Sequence, residues 1–197
     1  MLRICLFLHA PTIMEESDEG RYSGRMEEQK DKVYKVLIVS DSHGNTRYVR
    51  YAIGQEAPFD ALVHCGDVCA DLDRDLGEGR DYGLYVVRGN MDYTGKKEIT
   101  FDLGGRHFLV VHGDEYGVKY NNTMLLRHAR EIGADTALFG HSHVPEVSWS
   151  KDGVLLVNPG SVALPHQLPR VRTYAVMTWK EGEKPDVAFR EIPESVF

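Results

Sequence analysis

The stretch "YKVLIVSDSHGN", residues 34–45, is an apolar, largely β-branched run that stops abruptly in polar loop residues. Lys35 apart, nothing polar interrupts it, so it reads as a strand buried on both faces, the kind that helices cover in parallel sheets. "TRYVRYAIGQE" (46–56) comes next, with apolar residues at helical spacing. "DALVHCGD" (60–67) and "YGLYVVRGNMD" (82–92) repeat the step from buried strand to polar loop. Strands alternating with crossover segments predict an α/β arrangement.

Beyond residue 96 the pattern changes. "KEITFDL" alternates, Gly104 and Gly105 give a hairpin signal, and "RHFLVVHGD" is another buried strand with a polar end. "NTMLLRHAREIG" (122–133) predicts a helix with Asn122 as N-cap and Gly133 as its stop. Strands are expected at 135–139, 145–150, 153–157, 172–179 and 185–191, with "KDG" and "EGE" as turns. The sum is a two-sheet core of mixed strand direction with helices outside.

A chain of 197 residues suits one domain with a sizeable core, here residues 33–197. The net charge of −7, without any basic block, argues against holding bulk nucleic acid or an anionic membrane surface. A phosphate-containing substrate held through a metal stays open. Cys5, Cys65 and Cys69 are too few and too clustered to frame disulfides, so a cytoplasmic setting is expected. The opening "MLRICLFLHAP" is too short to span a bilayer and lacks a clear cleavage site, so it reads as neither secretory nor transmembrane. Thr12 to Lys32 is rich in charged residues, Ser and Gly. Residues 1–32 are therefore expected to form a disordered tail, much of which a translation start at Met14 or Met26 would remove.

The loops that leave the strands are chemically uniform: "SDSHGN", "HCGD", "RGNMD", "HGD", "GHSH" and "NPGS". Each places Asp, His, Asn or Ser beside Gly where a buried strand stops, the rim at which open α/β sheets bind ligands. Taken singly, an Asp-x-His or a Gly-Asn is an ordinary turn. Together, Asp41, His43, Asp67, Asn90, His112, His141 and His143 form a set of oxygen and nitrogen donors without a thiolate. Such a set suits Mn, Fe, Zn, Ni or Mg, and it exceeds what one tetrahedral ion needs. Two ions sharing a carboxylate would use it fully.

The ordered motifs D-x-H, G-D, G-N-x-D, H-G-D and G-H-x-H resemble those of the calcineurin-like metallophosphoesterases. The short domain and the "NPGS" loop are most similar to the small prokaryotic YfcE-like phosphodiesterases. The resemblance covers residues 34–191 and implies a four-layer αββα sandwich of two mixed β-sheets flanked by helices. It also implies hydrolysis of a small phosphodiester, with monoesters as a further option, by a metal-bridging hydroxide between two divalent ions. Mn2+ is the expected ion, with Ni2+, Fe2+ or Zn2+ as alternatives. By the family pattern Asp41, His43, Asp67 and His143 hold one metal, and Asp67, Asn90, His112 and His141 the other. A non-catalytic scaffold, like the retromer subunit that resembles the same fold, is the alternative, and a homo-oligomer is left open.

One departure matters. Larger relatives carry a histidine after the Asn of G-N-x-D that protonates the leaving group, whereas here that residue is Met91. The role falls vacant or passes to water or Asp92, so Asn90 and Asp92 are the catalytic candidates. His64 should face away from Asp67 and reads as a buried structural histidine. Arg88 and Tyr93 flank the Gly-Asn loop, where a salt bridge and a packing aromatic are the simplest roles. The acidic run at 71–75 reads as a solvated loop, and His166 and Arg170 as residues of the rim.

Overall fold

The computed structural model describes residues 31–194. The tail expected over residues 1–32 lies outside them, except for Asp31 and Lys32. β1 (Val33–Val39) leads through α1 (Thr46–Glu56) to β2 (Ala61–His64), and a short α2 (Leu72–Leu76) leads to β3 (Gly83–Val86). These three strands are parallel, and the sheet is completed by an antiparallel hairpin of β9 (Arg172–Lys180) and β10 (Asp186–Ile192), in the order β10-β9-β1-β2-β3. The second sheet runs β4-β5-β6-β8-β7. Its members are β4 (Glu98–Leu103), β5 (Arg106–Val111), β6 (Thr136–Leu138), β7 (Pro145–Trp149) and β8 (Leu155–Pro159), with α3 (Thr123–Glu131) between β5 and β6.

Alternation along β1 sorts the core into layers. Val36 and Ile38 face the second sheet, where they join Ala61, Val63, Phe108, Val110, Leu138 and Met177. Leu37 and Val39 face the opposite way and pack under Tyr48, Val49 and Ala52 of α1. On the second sheet Leu109, Val111 and Ala137 likewise turn outward against Leu125 and Ala129 of α3. Two sheets face each other with a helix layer outside each, which is the αββα sandwich expected. Each fully buried Leu, Ile or Phe contributes roughly 1.5–3 kcal/mol of transfer free energy. Aromatic rings close one side, with Tyr85 stacked on Phe101 at 3.8 Å and Phe101 on its register partner Phe108 at 4.7 Å.

Several local expectations need correction. Asn122 makes no side-chain cap; its amide reaches Glu146 at 2.6 Å, and Asn121 Oδ1 instead accepts the N–H of Thr123 at 3.0 Å. Gly133 does terminate α3, at φ +75°. The acidic run forms the single turn α2, because Asp71 Oδ1 accepts the Arg74 N–H at 3.1 Å and caps it. β8 continues through Asn158 and Pro159, so half of "NPGS" is strand. A proline is tolerated there because it is the last residue of its strand, opposite Pro145 of β7.

Candidate metal centre

Five strands, β1, β2 and β3 in one sheet and β5 and β6 in the other, run parallel within their sheets and deliver their C-terminal loops to one rim. The loops are laced together by main-chain bonds. Asp41 N–H donates to Gly66 O at 3.0 Å, His43 N–H to Asp67 O at 2.9 Å, and Gly140 N–H to His112 O at 2.9 Å. The two sheets meet where Asp41 Oδ2 accepts the His141 N–H at 3.2 Å.

The seven donors singled out in the sequence are brought together. Asp41, His43, Asp67 and His143 offer ligand atoms that all lie within 4.8 Å of one another. His143 Nε2 lies 3.0 Å from Asp41 Oδ1 and 3.5 Å from His43 Nε2, and His43 Nε2 is 3.9 Å from Asp67 Oδ2. On the far side of Asp67, His112 Nε2 lies 3.5 Å from the same Oδ2, 3.2 Å from Asn90 Oδ1 and 3.2 Å from His141 Nδ1. Asp67 Oδ2 thus faces both groups.

The tautomers are set by the groups behind the rings. His112 Nδ1–H donates to Cys65 O at 2.8 Å, and His143 Nδ1–H to Leu164 O at 2.6 Å. Each neutral ring therefore turns the lone pair of Nε2 toward the carboxylates, as ligating histidines do. Burial opposes charge on both imidazoles, yet Asp67 and Asp41 outweigh it and hold both above the ordinary histidine range. Burial likewise pushes Asp67 up, but His112 and the Met91 N–H pull its carboxyl down to about 2. His141 is lowered by burial and by the charges of His112 and Lys119.

This arrangement fits divalent cations. Asp41 Oδ1 is buried and has no hydrogen-bond donor, because its contact with His143 lies outside hydrogen-bond geometry. Around His112 Nε2, the acceptors Asp67 Oδ2 and Asn90 Oδ1 converge with His141 Nδ1 within 3.5 Å. Acceptors crowded on acceptors require positive charge between them, and Asp, Asn and His are the ligands that Mn, Fe, Zn and Ni accept. The backbone is shaped for the same end. Of six non-glycine residues at positive φ among those described, five are Asp41, His43, Asp67, His141 and His143. Such strain concentrates at functional sites. Glycine clears the space: a Cβ on Gly89 would stand 2.1 Å from Asp67 Oδ1, and one on Gly140 2.8 Å from Asp41 Oδ2.

Behind the donors stands a shell of hydrogen-bonded residues, in which the part of Ser161 had no signal in the sequence. Asn158 Nδ2 donates to Gly140 O and Ser142 Oγ, and Ser161 Oγ donates to Asp41 O at 2.9 Å. Asp92 takes three main-chain donors: Gly89 at 2.8 Å, Val68 at 3.1 Å and Cys69 at 2.7 Å. It clasps the loops after β2 and β3. His64 is fully buried and bonded into a polar relay with Ser42 and the Gly66 N–H. His166 is exposed and stacks on His143, ring centroids 4.3 Å apart. Arg170 is exposed.

The model of the calcineurin-like phosphoesterase superfamily domain matches residues 34–182. The probable metallophosphoesterase YsnB of Bacillus subtilis is 38% identical over 146 residues, covering 73% of this chain and 83% of its own. The crystal structure of a predicted phosphoesterase from Streptococcus pneumoniae superposes with TM-score 0.72 at 28% identity, over 81% of this chain and 90% of that one. Vacuolar Protein Sorting 29 from Cryptosporidium parvum shares the fold alone, with TM-score 0.64 at 17% identity over 83% and 100%. An archaeal phosphodiesterase does so as well, with TM-score 0.64 at 20% identity over 80% and 99%. The matched span begins at the second residue of β1 and takes in every loop that carries a donor, so the chain belongs to the calcineurin-like phosphoesterase superfamily.

Proposed function

We propose that this protein is a two-metal phosphodiesterase acting on a small diester in a reducing, cytoplasmic setting, with Mn2+ as the resident ion. One observation carries the reading: Asp67 Oδ2 stands between two groups of acceptors, 3.9 Å from His43 Nε2 and 3.5 Å from His112 Nε2. Asp41, His43, Asp67 and His143 would hold one ion, and Asp67, Asn90, His112 and His141 the other. Two bound ions supply Lewis-acid charge for the phosphoryl oxygens and lower the pKa of water.

The chain's own groups do the rest. Asn90 turns Oδ1 toward His112, which leaves its Nδ2–H2 to donate to a phosphoryl oxygen. Met91 gives its N–H to Asp67 Oδ1 at 2.8 Å and fixes that carboxylate, while its side chain offers no proton. Asp92 is engaged by three backbone donors, so it acts as a positioning residue and the leaving alcohol takes its proton from solvent. Diesters with good leaving groups are therefore the substrates served best. The filled donor set speaks for an enzyme over a non-catalytic scaffold.

The test is metal analysis of the purified protein with hydrolysis of bis-p-nitrophenyl phosphate, for wild type and Asp67→Asn. Two metals per chain and turnover at least 10²-fold above the variant are expected. Absence of metal and of turnover in wild type would overturn the enzyme reading in favour of the scaffold. A phosphomonoester preferred over the diester would overturn the substrate class.

A further inference from the structure

Arg88 comes after β3 and precedes Asn90 by two residues, and the structure does not give it the salt bridge that its sequence position suggested. It is half-buried, yet its guanidinium has no hydrogen-bond or ion-pair partner among the described residues. The main chain there is fixed, with the Arg88 N–H donating to Lys96 O at 2.8 Å. A partly desolvated cation without an anion is costly, and guanidinium is the group that best matches phosphate in a bidentate fork. The nearby Asp92 does not serve, since its oxygens accept main-chain N–H groups.

Arg88 lines two cavities, as does Asp92. A small one of about 90 Å³ has Asn90 and His112 on its wall, and so opens on the candidate metal centre. The other is an open groove of about 990 Å³ with an apolar floor of Leu84, Val86 and Ile99. At its lip stand Met91, 55% exposed, and Tyr93, 99% exposed, so Tyr93 is not the packing aromatic expected either. Arg88 and Lys96 supply the groove's positive charge, and Asp71, Asp73 and Asp92 its negative charge, Asp92 already engaged by main-chain donors. An anion entering the groove finds its counter-charge at Arg88 and Lys96. Exposed aromatic and thioether surface beside an unpaired guanidinium is the complement of a base joined to a phosphate.

Resting on the phosphoesterase reading, we propose that this groove is a subsite for a nucleotide on the leaving side of the scissile phosphodiester. Its own phosphate pairs with Arg88, and its base lies against Tyr93 and Met91. The step is hydrolytic and without redox change. A water oxygen bonds to phosphorus, the bond from phosphorus to the nucleotide's oxygen breaks, and that oxygen leaves with a proton while the water loses one to solvent.

Two measurements test the assignment. Calorimetric titration of the metal-free full chain compares thymidine 3′,5′-bisphosphate with inorganic phosphate, for wild type, Arg88→Ala, Arg88→Lys and Tyr93→Ala. The bisphosphate should bind wild type at least tenfold more tightly than phosphate. Arg88→Ala should lose that advantage, Arg88→Lys should keep part of it, and Tyr93→Ala should lose about threefold. In the Mn2+-loaded enzyme, 5′-phosphorylated dithymidylate should have a KM at least tenfold below that of unphosphorylated dithymidylate. Equal affinity for bisphosphate and phosphate, or no change in Arg88→Ala, would overturn the subsite. If Arg88→Ala fails to fold, Tyr93→Ala carries the test, because its side chain is almost wholly in solvent. Hydrolysis of bis-p-nitrophenyl phosphate, which carries no second phosphate, together with bisphosphate binding that does not depend on Arg88 sinks the subsite alone. Arg88-dependent binding without hydrolysis of any diester sinks the phosphoesterase reading and leaves the subsite standing.

Discussion

Asn158 donates from Nδ2 to the carbonyl of Gly140 at 2.8 Å, and so ties the end of β8 to the loop that carries His141 and His143. The same amide reaches Ser142 Oγ at 3.0 Å, and its Oδ1 accepts the Gly160 N–H at 2.9 Å. All three bonds are internal to a residue with no exposed surface. Asn158→Ala should leave the Gly160 N–H unpaired, while Gly140 O keeps the Ser142 N–H at 2.8 Å, and cost about 1–3 kcal/mol for the orphaned group. Because the loop holds donor residues, metal affinity should fall about 10–100-fold, as for other outer-shell losses. Denaturant unfolding and metal titration measure both. Unchanged metal affinity in a destabilised variant would confine Asn158 to a role in folding.

Glycine substitutions separate space from stability. In Gly89→Ala the new methyl would lie 2.1 Å from Asp67 Oδ1 and 2.5 Å from Asp67 N, so the carboxylate must move. We expect loss of one or both metals and of turnover. Gly54→Ala lies within α1 with nothing inside 4 Å of the added methyl, so it should be neutral or stabilise by up to about 1 kcal/mol. Atomic absorption and thermal melts distinguish them; full metal occupancy in Gly89→Ala would contradict the crowding argument.

Met91 tests the question of the leaving group. Its side chain is exposed and its structural contribution is its N–H, so a histidine fits without disturbing Asp67. Wild type should show rates on aryl phosphodiesters that fall steeply as leaving-group pKa rises. Met91→His should flatten that slope and raise the rate on poor leaving groups at least tenfold, within the roughly 10²–10⁴-fold that general-acid help supplies. A slope already flat in wild type would mean that a proton donor is present.

The features legible in the sequence and those hidden from it differ in physical origin. Val36, Leu37, Ile38 and Val39 are buried on alternating faces whatever the details, so the strand and its layer were legible from hydrophobicity. The clustering of Asp41, His43, Asp67 and His143 was legible because Gly marks the sharp exits from the strands. Positive φ at His43, His141 and His143 was not, since no local preference signals a strained histidine and only the assembled loops enforce it. Asn122 misled because two adjacent asparagines compete for one cap, and Glu146, 24 residues away, takes the amide of one. Asp92 was legible only in part: its acidity is visible in the chain, while its three main-chain donors come from Val68, Cys69 and Gly89.

His64 offers a prediction in pH. Gly66 N–H donates to His64 Nδ1 at 3.2 Å, so the ring proton is on Nε2 and is given to Ser42 Oγ at 2.9 Å, while Ser42 Oγ donates to Val68 O at 3.3 Å. Every group in this buried relay is used, and a second ring proton would face the Gly66 N–H. Burial is the main reason its pKa drops to about 4, with the carboxylates of Asp41 and Asp92 opposing. Unfolded, the same ring takes a proton near pH 6.5. Between pH 6.5 and 4 the unfolded chain therefore binds more protons at this site, so its contribution to stability is complete above 6.5 and is lost as pH falls. The loss amounts to about 3 kcal/mol by pH 4. His64→Gln removes the titration, so the wild-type stability curve should fall more steeply than the variant's across this window and run parallel to it above. Nitrogen NMR of the metal-free protein should show His64 as the neutral Nε2–H tautomer down to about pH 4, and a titration midpoint above 6 would overturn the assignment.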